Sequence, residues 1–329
     1  MAELFDLAAI GNAIVDVIAP ADDAFLLDEG LDKGSMMLVD EVRGRDLYSR
    51  MKPGVETSGG SAANTVAGLA SLGGRAAFLG KVANDQLGEV FAHDMRAGGA
   101  HFSTPPLIGG PATARCLVNV TPEGERTMST FLGASTEFTA DDIDPAIIEA
   151  ANIVYLEGYL FDAAPARRAF AKAAGLARAA GRRIALTLSD GFVVDRHRDG
   201  LLGFIETQVD LLFANESEIL ALFETDSLEN ALTALKSKVP MAAVTLGANG
   251  SVILKGDETV VVSAAKIDKI LDTTGAGDQY AAGFMFGLSR DRSLMDCGRL
   301  GSLAAGEVIS HYGPRPQTSL RDLATREGL

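Results

Sequence analysis

Tryptophan is absent from the 329 residues, cysteine occurs twice, and aromatic side chains make up only 6%. No apolar run approaches the roughly 20 residues that a membrane-spanning helix needs. Cys116 and Cys297 stand far apart, with no metal-ligand spacing around them. A disulfide between them stays open, and a reduced protein is the expectation. Basic side chains are the minority, 29 Lys and Arg against 44 Asp and Glu, for a formal charge of −15. DNA and RNA are bound by a basic face that releases counterions, so this balance argues against nucleic acid as the main partner. A small phosphorylated ligand stays compatible, because helix N-termini and a few cations hold one locally.

Several motifs are missing as well. There is no Gly-x-x-x-x-Gly-Lys-Ser/Thr, which sets aside a P-loop enzyme. Gly275-x-Gly277 lacks the third glycine of a dinucleotide fingerprint and comes late in the chain. No carboxylate pair has a spacing that singles out hydrolysis. His93, His101, His197 and His311 show no metal spacing and are expected on the surface or in packing. The opening run Met1 to Asp6 carries acids where a signal peptide is basic. The expectation is a soluble, cytoplasmic protein without a membrane partner.

What is present is α/β grammar, with 47% hydrophobic residues and charges mixed along the chain. Phe5 to Ala19 reads as a buried strand, a turn at Gly11-Asn12 and a second apolar run. Residues 20 to 58 lack a strong helical period and read as short strands and loops covering something. Gly59-Gly60-Ser61 opens a helix with Ala62, Val66, Leu69 and Ala70 on its apolar face, closed by Gly73-Gly74. Ala76 to Val82 then reads as a strand and Asp85 to Ala97 as a helix. Between about 105 and 132 side chains alternate as in an antiparallel hairpin, turning at Thr121 to Arg126. With residues 13 to 50 this suggests a small β subdomain. From 150 onward, strands at 153–156, 183–188, 211–214, 241–246 and 251–255 interleave with helices such as 164–180 and 227–236. That pattern implies a mostly parallel sheet covered on both faces, with ligands beyond the carboxyl ends of its strands.

The most informative segment runs from Asp272 to Leu288. Gly275, Ala276 and Gly277 carry almost no side chain, so their N–H groups can approach a ligand closely. They precede a helix whose buried face is Ala281, Phe284, Met285 and Leu288. A helix N-terminus offers unpaired donors and partial positive charge, which suit a phosphoryl group. Asp278, in the first turn, could take a proton from an attacking hydroxyl. A plain capping acid on a plain turn is the competing reading of any lone Gly-x-Gly-Asp.

Asp272-Thr273-Thr274-Gly275-Ala276-Gly277-Asp278 resembles the C-terminal signature of the ribokinase superfamily, the PfkB-type carbohydrate and nucleoside kinases. Gly59-Gly60-Ser61-Ala62-Ala63-Asn64 resembles its N-terminal signature, and Gly80 to Gly88 the strand and turn that follow. The resemblance spans about residues 5 to 320. It implies a ribokinase-like three-layer α/β/α domain with a mostly parallel sheet plus a small β-sheet lid. Residues 1–329 would form one kinase unit, the lid coming from insertions at about 13–50 and 105–132. ATP and Mg²⁺ are the implied cofactors, with K⁺ left open.

By resemblance, Asp278 is the catalytic base and Gly275, Ala276 and Gly277 its amide cradle. Asp16 would accept hydrogen bonds from substrate hydroxyls, beside Asn12. Gly59, Gly60 and Ser61 would let the substrate ring lie on the backbone, and Asn64 would offer a donor and an acceptor. Asn215-Glu216-Ser217-Glu218 matches the Asn-x-x-Glu element, with Asn215 near the phosphates and Glu218 organising Mg²⁺ through water. The same residues also satisfy an N-capped helix. Thr245 and Gly247 resemble the nucleotide turn, although Asn249-Gly250 is also a hairpin signal. Asp272 and Thr274 resemble a monovalent-cation loop, with Gly313 as a later contributor.

The acceptor is read from the N-terminal half. Gly11 to Asp16 and Gly34 to Leu38 look like the adenosine-kinase branch, and Met36, Leu38, Phe131 and Tyr159 could clamp a base. The 5′-hydroxyl of adenosine is therefore the expected acceptor. A sugar of the ribose, fructose or 2-keto-3-deoxygluconate class is the alternative, and a non-catalytic metabolite-binding regulator a second. The oligomeric state is left between monomer and homodimer.

Overall fold

A computed structural model describes residues 5–329. The acidic opening Met1 to Leu4 lies outside the described residues. Strand β1 (Phe5–Ile10) is buried from Leu7 onward, and the chain turns at Gly11-Asn12 into β2 (Ile14–Pro20). Helix α1 (Asp23–Asp28), strand β3 (Met36–Leu38), helix α2 (Glu41–Arg50) and strand β4 (Val55–Gly59) follow. The two helices correct the reading of residues 20 to 58 as strands and loops. Each is short and held by its cap: Asp22 accepts from Phe25 N at 2.9 Å and Asp40 from Arg43 N at 2.7 Å. In α2 only Gly44 and Leu47 are buried, too few to print a helical period.

Next come α3 (Ser61–Ser71), β5 (Ala76–Leu79), α4 (Gln86–Ala97), β6 (His101–Phe102) and the hairpin β7 (Ala114–Val120) with β8 (Arg126–Phe131). The regular alternation is α5 (Pro145–Ala150), β9 (Ala151–Glu157), α6 (Ala164–Ala179), β10 (Arg183–Thr187), α7 (Gly191–Gln208), β11 (Leu211–Asn215), α8 (Glu216–Phe223), α9 (Leu228–Lys236) and β12 (Met241–Thr245). An antiparallel tail, β13 (Ser251–Lys255) and β14 (Glu258–Val262), precedes α10 (Ala276–Leu288), α11 (Leu294–Val308) and α12 (Leu320–Arg326).

Among the described residues the strands form two sheets. The larger has nine strands in the order β14-β13-β12-β11-β10-β9-β1-β5-β6, parallel from β12 to β6. The smaller has five, in the order β3-β8-β7-β2-β4. Two apolar clusters cover the large sheet. One gathers Phe138, Phe170 and Ile184 with α5 to α9, and the other gathers Phe78, Phe91 and Phe284 with α3, α4 and α10. This sandwich is why the strands read as continuous apolar runs. The fold is the ribokinase-like α/β arrangement that the resemblance implied, with a large mostly parallel sheet and a smaller one.

Cys116 and Cys297 are both buried and unpaired. Among the described residues no helix is long and apolar enough to cross a membrane.

Candidate active site

Strand β9 ends on a carboxylate. Glu157 is only 1% exposed, yet three donors meet it: Asn12 N at 3.2 Å, Asn12 Nδ2 at 2.8 Å and Ala62 N at 2.8 Å. Helix α3 begins at Gly60, which has φ +93° and no side chain to cap the first turn. Glu157 supplies that cap from another strand and pins the Gly11-Asn12 turn against it. Burial pushes the Glu157 carboxyl up to about 7, against the opposing pull of the Ala62 and Asn12 hydrogen bonds.

Helix α10 arrives opposite. Gly275 takes φ +78° at its N-cap, and an added Cβ would stand 2.7 Å from Pro314, so only glycine fits there. A Cβ on Gly277 would meet nothing within 4 Å. The cradle is therefore closed behind Gly275 and open at Gly277. Ala276 N turns back to Thr273 O at 3.2 Å, while helix geometry leaves the N–H groups of Gly277 and Asp278 without a carbonyl four residues earlier. Of the three expected cradle residues, Ala276 has its amide turned back into the loop, and Gly277 has open space beside it.

Asp278 lies in the first turn and receives Ser61 Oγ at 2.6 Å and Asn64 Nδ2 at 3.0 Å, both from α3. Its carboxyl is held up to about 6 by burial, with the hydrogen bonds of Ser61 and Asn64 and the charge of Arg315 pulling down. Asp16 stands on β2 with its carboxylate against Gly59, where a side chain would overlap it. It too is held at about 6, by burial first, with Arg315 and Arg126 opposing and Asp278 adding repulsion. By surface exposure both acids are half-buried. A carboxylate poised near neutrality beside a helix N-terminus can accept a hydroxyl proton.

Asn64 is buried, and its amide is committed on both sides: Nδ2 meets Asp278 and Oδ1 meets Arg315 Nε at 3.4 Å. One N–H and one lone pair of the amide are thus engaged within the protein, leaving the second of each for another partner. Asn12 is likewise buried and turned toward Glu157.

At the same edge of the sheet, Asn215 and Thr245 are register partners at the ends of β11 and β12. Asn215 caps α8 and Glu218 closes the box, accepting from Asn215 N and Nδ2 at 2.9 Å each. Glu218 is 5% exposed, and burial raises its carboxyl to about 7, with Asp190 and Asp278 adding repulsion. A buried acid without a cation on it suits a nearby dication held through water. Among the described residues no three His, Cys, Asp or Glu side chains gather into a metal cage. Gly247 is exposed with φ +58° and open space around it.

Asp272 departs from an open cation loop. Its Oδ1 accepts from Thr274 N at 3.0 Å, its Oδ2 from Gly313 N at 2.9 Å, and Arg126 Nη2 lies 2.6 Å from that same oxygen. Arg126 comes from β8 of the smaller sheet and is 9% exposed in its side chain, so a fixed guanidinium stands on the carboxylate that K⁺ would use. These residues do not fit a K⁺ site.

The expected base clamp is split. In the smaller sheet Asp16 pairs with Cys116, Cys116 with Thr130, Met128 with Met36, and Thr130 with Leu38. Side chains alternate along strands, so Met36 and Leu38 share a face with Asp16. They are 46% and 61% exposed. Phe131 is one residue out of that parity. It pairs with Arg115, whose guanidinium lies 5.7 Å from its ring, on the face covered by Gly44 of α2. Phe131 is a packing residue under a helix, not part of a clamp. Tyr159 is half-buried against the core of the large domain, its hydroxyl pushed up by burial and then by Asp190 and Asp278.

Four residues of this region escaped the sequence reading: Glu157, Gln279, Arg126 and Arg315. Gln279 is buried and donates to Asn64 O at 3.0 Å and to Pro314 O at 2.9 Å, tying α10 to α3 and to the loop before α12. An acid closing the apolar run Ile153 to Leu156 was a readable signal for Glu157. Nothing local marks the other three.

Helix α10 thus opens on a glycine turn with Asp278 in its first turn, and Asp16 stands on β2 of the smaller sheet. The PfkB family carbohydrate kinase model matches residues 31–320, and the chain belongs to that family. It is similar in structure to the adenosine kinase of Sinorhizobium meliloti, with 51% identity, a TM-score of 0.92 and coverage of 98% of this chain and 99% of that one. A probable sugar kinase from Rhizobium etli matches at 48% identity and a TM-score of 0.93, over 100% of this chain and 99% of its own. The adenosine kinase of Saccharomyces cerevisiae is 27% identical over 94% of this chain and 96% of its own. The chain is thus a phosphotransferase with an alcohol group as acceptor.

Proposed function

We propose that this chain transfers the γ-phosphate of ATP to the 5′-hydroxyl of a nucleoside, adenosine before others. The observation that carries the acceptor class is the apolar face shared with Asp16, where Met36 and Leu38 stand exposed. A base laid on that face would cover them, whereas a bare sugar would leave them wet. The likeness to the S. meliloti adenosine kinase supports the same reading. A sugar acceptor is the second reading, favoured by the printed name of the R. etli relative.

In this reading Asp16 holds the ribose hydroxyls beside Gly59 and Gly60, and Asp278 takes the proton of the attacking hydroxyl. Ser61 and Asn64 aim that carboxylate. The Gly277 and Asp278 amides face the equatorial oxygens of the transferring group, in line with the positive end of α10. Asn215, Thr245 and Gly247 border the donor. PfkB kinases use ATP with Mg²⁺; Glu218 would hold the ion through water, and the ion would neutralise charge on the phosphates. The smaller sheet acts as the lid, and its closure over the recess would exclude water.

The deciding measurement is ATP consumption over a panel of nucleosides and simple sugars. Turnover with adenosine and not with ribose or fructose supports the proposal; the opposite pattern transfers it to a sugar. Asp278→Asn is expected to lower kcat by about 10²-fold or more, the worth of a positioned base. Turnover within a few-fold of the parent would remove Asp278 from that role.

A further inference from the structure

Arg315 lies outside both sequence signatures, in the loop between α11 and α12, yet its guanidinium reaches Ser58 on β4 and Asn64 on α3. Nη1 donates to Ser58 Oγ at 2.6 Å, Nε to Asn64 Oδ1 at 3.4 Å, and Nη2 lies 3.5 Å from Met95 Sδ. The loop that carries it is tied to the cradle at two further points. Gly313 N donates to Asp272, and Pro314 packs against Gly275 while its carbonyl accepts from Gln279. The position of the guanidinium is therefore set by the same contacts that shape the cradle.

We propose that Arg315 is a positioning residue for the proton-accepting carboxylate: by taking the Asn64 carbonyl it turns the amide donor onto Asp278, and it stands as counter-charge to Asp16 and Asp278 together. This rests on Asp278 being the base. An asparagine amide has two ends of opposite polarity, and the reverse orientation would set its carbonyl against a carboxylate. Of the groups facing Asp278 from the surrounding elements, Asp16 on β2, Tyr155 and Glu157 on β9, Tyr159 after it and Glu218 on α8 all contribute negative charge when ionised. Ser61 and Asn64 on α3 are neutral donors. Among the described residues, Arg315 supplies the positive charge that lowers the Asp278 carboxyl against burial. Burial in turn lowers the guanidinium's own pKa, with Asp16, Asp94 and Asp278 opposing.

The test is the pH dependence of kcat/KM for the full chain with Arg315→Gln, Arg315→Lys and Asp278→Asn. With Arg315→Gln the acid limb, where the base must lose its proton, is expected to move up by about one pH unit. The deficit against the parent should then be largest below neutrality and shrink above pH 8. Arg315→Lys keeps the charge but not the fork, so its limb should stay near the parent while kcat falls at every pH. An acid limb that does not move in Arg315→Gln, with a loss that is the same at every pH, would overturn the proposal. If Arg315→Gln does not fold, Arg315→Met, which removes the charge and the donors but keeps a long side chain, is read the same way. Asp278→Asn separates the two claims. An inactive Asp278→Asn with an unmoved limb in Arg315→Gln leaves the base in place and removes Arg315. An Asp278→Asn enzyme near parental turnover removes both.

Discussion

Asp278 was legible because it sits inside seven consecutive residues whose order is itself a signature. Glu157 and Gln279 were not legible, because their partners lie far along the chain, Ala62 95 positions from Glu157 and Asn64 215 from Gln279. What a buried side chain does is decided by its neighbours, and these neighbours are assembled only by the fold. Glu157 shows the consequence. Its oxygens face three N–H donors, so Glu157→Gln would turn an amide N–H₂ against at least one of them. The expected cost is about 2 kcal/mol, read as a lower urea midpoint with an unchanged slope. Because Glu157 caps α3, the same variant should also weaken turnover through Ser61 and Asn64. Asn64 carries one hydrogen bond to Asp278 and one from Arg315, two contacts that its local sequence does not print.

Elements with long apolar runs or clean periods were read correctly, and the weak ones were not. Helices α1 and α2 bury too little to show a period, and their existence rests on the aspartates that cap them. Parity separated Met36 from Phe131, and parity needs the strand register, which no local pattern printed. Helix α10 is the best case of sequence and packing agreeing. Gly283 lets α10 approach α11 so closely that an added Cβ would press on the backbone of Leu300 and Gly301. Alanine is the better helix former by about 1 kcal/mol, yet here the backbone must move to admit it. Gly283→Ala is therefore expected to lower stability by about 1–3 kcal/mol, measured by chemical denaturation. A stabilised protein would show that the two helices can separate without cost.

Across the whole molecule, the site concentrates acids. Asp16 and Asp278 are raised from 3.8 to about 6, and Glu157 and Glu218 from 4.5 to about 7. A carboxyl whose folded pKa lies above its unfolded one binds its proton more tightly when folded. Its stabilisation is complete below the unfolded value and is lost as pH rises through the folded one. The free enzyme should therefore be more stable at pH 5.5 than at pH 7.5, and the acidic net charge at neutrality works in the same direction. Asp16→Asn should narrow the gap; a melting temperature that rises across that window would contradict the assignment. The Arg126–Asp272 pair has its own global consequence, because it joins the smaller sheet to the loop before the cradle. Replacing K⁺ with tetramethylammonium in the assay is expected to leave the rate unchanged, and a K⁺-stimulated rate would place the ion where the guanidinium now stands.

One contact made by Arg315 reaches further than catalysis. The residues it binds, Ser58 and Asn64, stand 257 and 251 positions before it. The Pro314 backing of Gly275 and the oriented amide of Asn64 are thus non-local features, present only once segments from opposite halves of the chain have met. Such contacts cost loop-closure entropy before they return any stabilisation, so the finished site belongs to the cooperative fold and not to either signature alone.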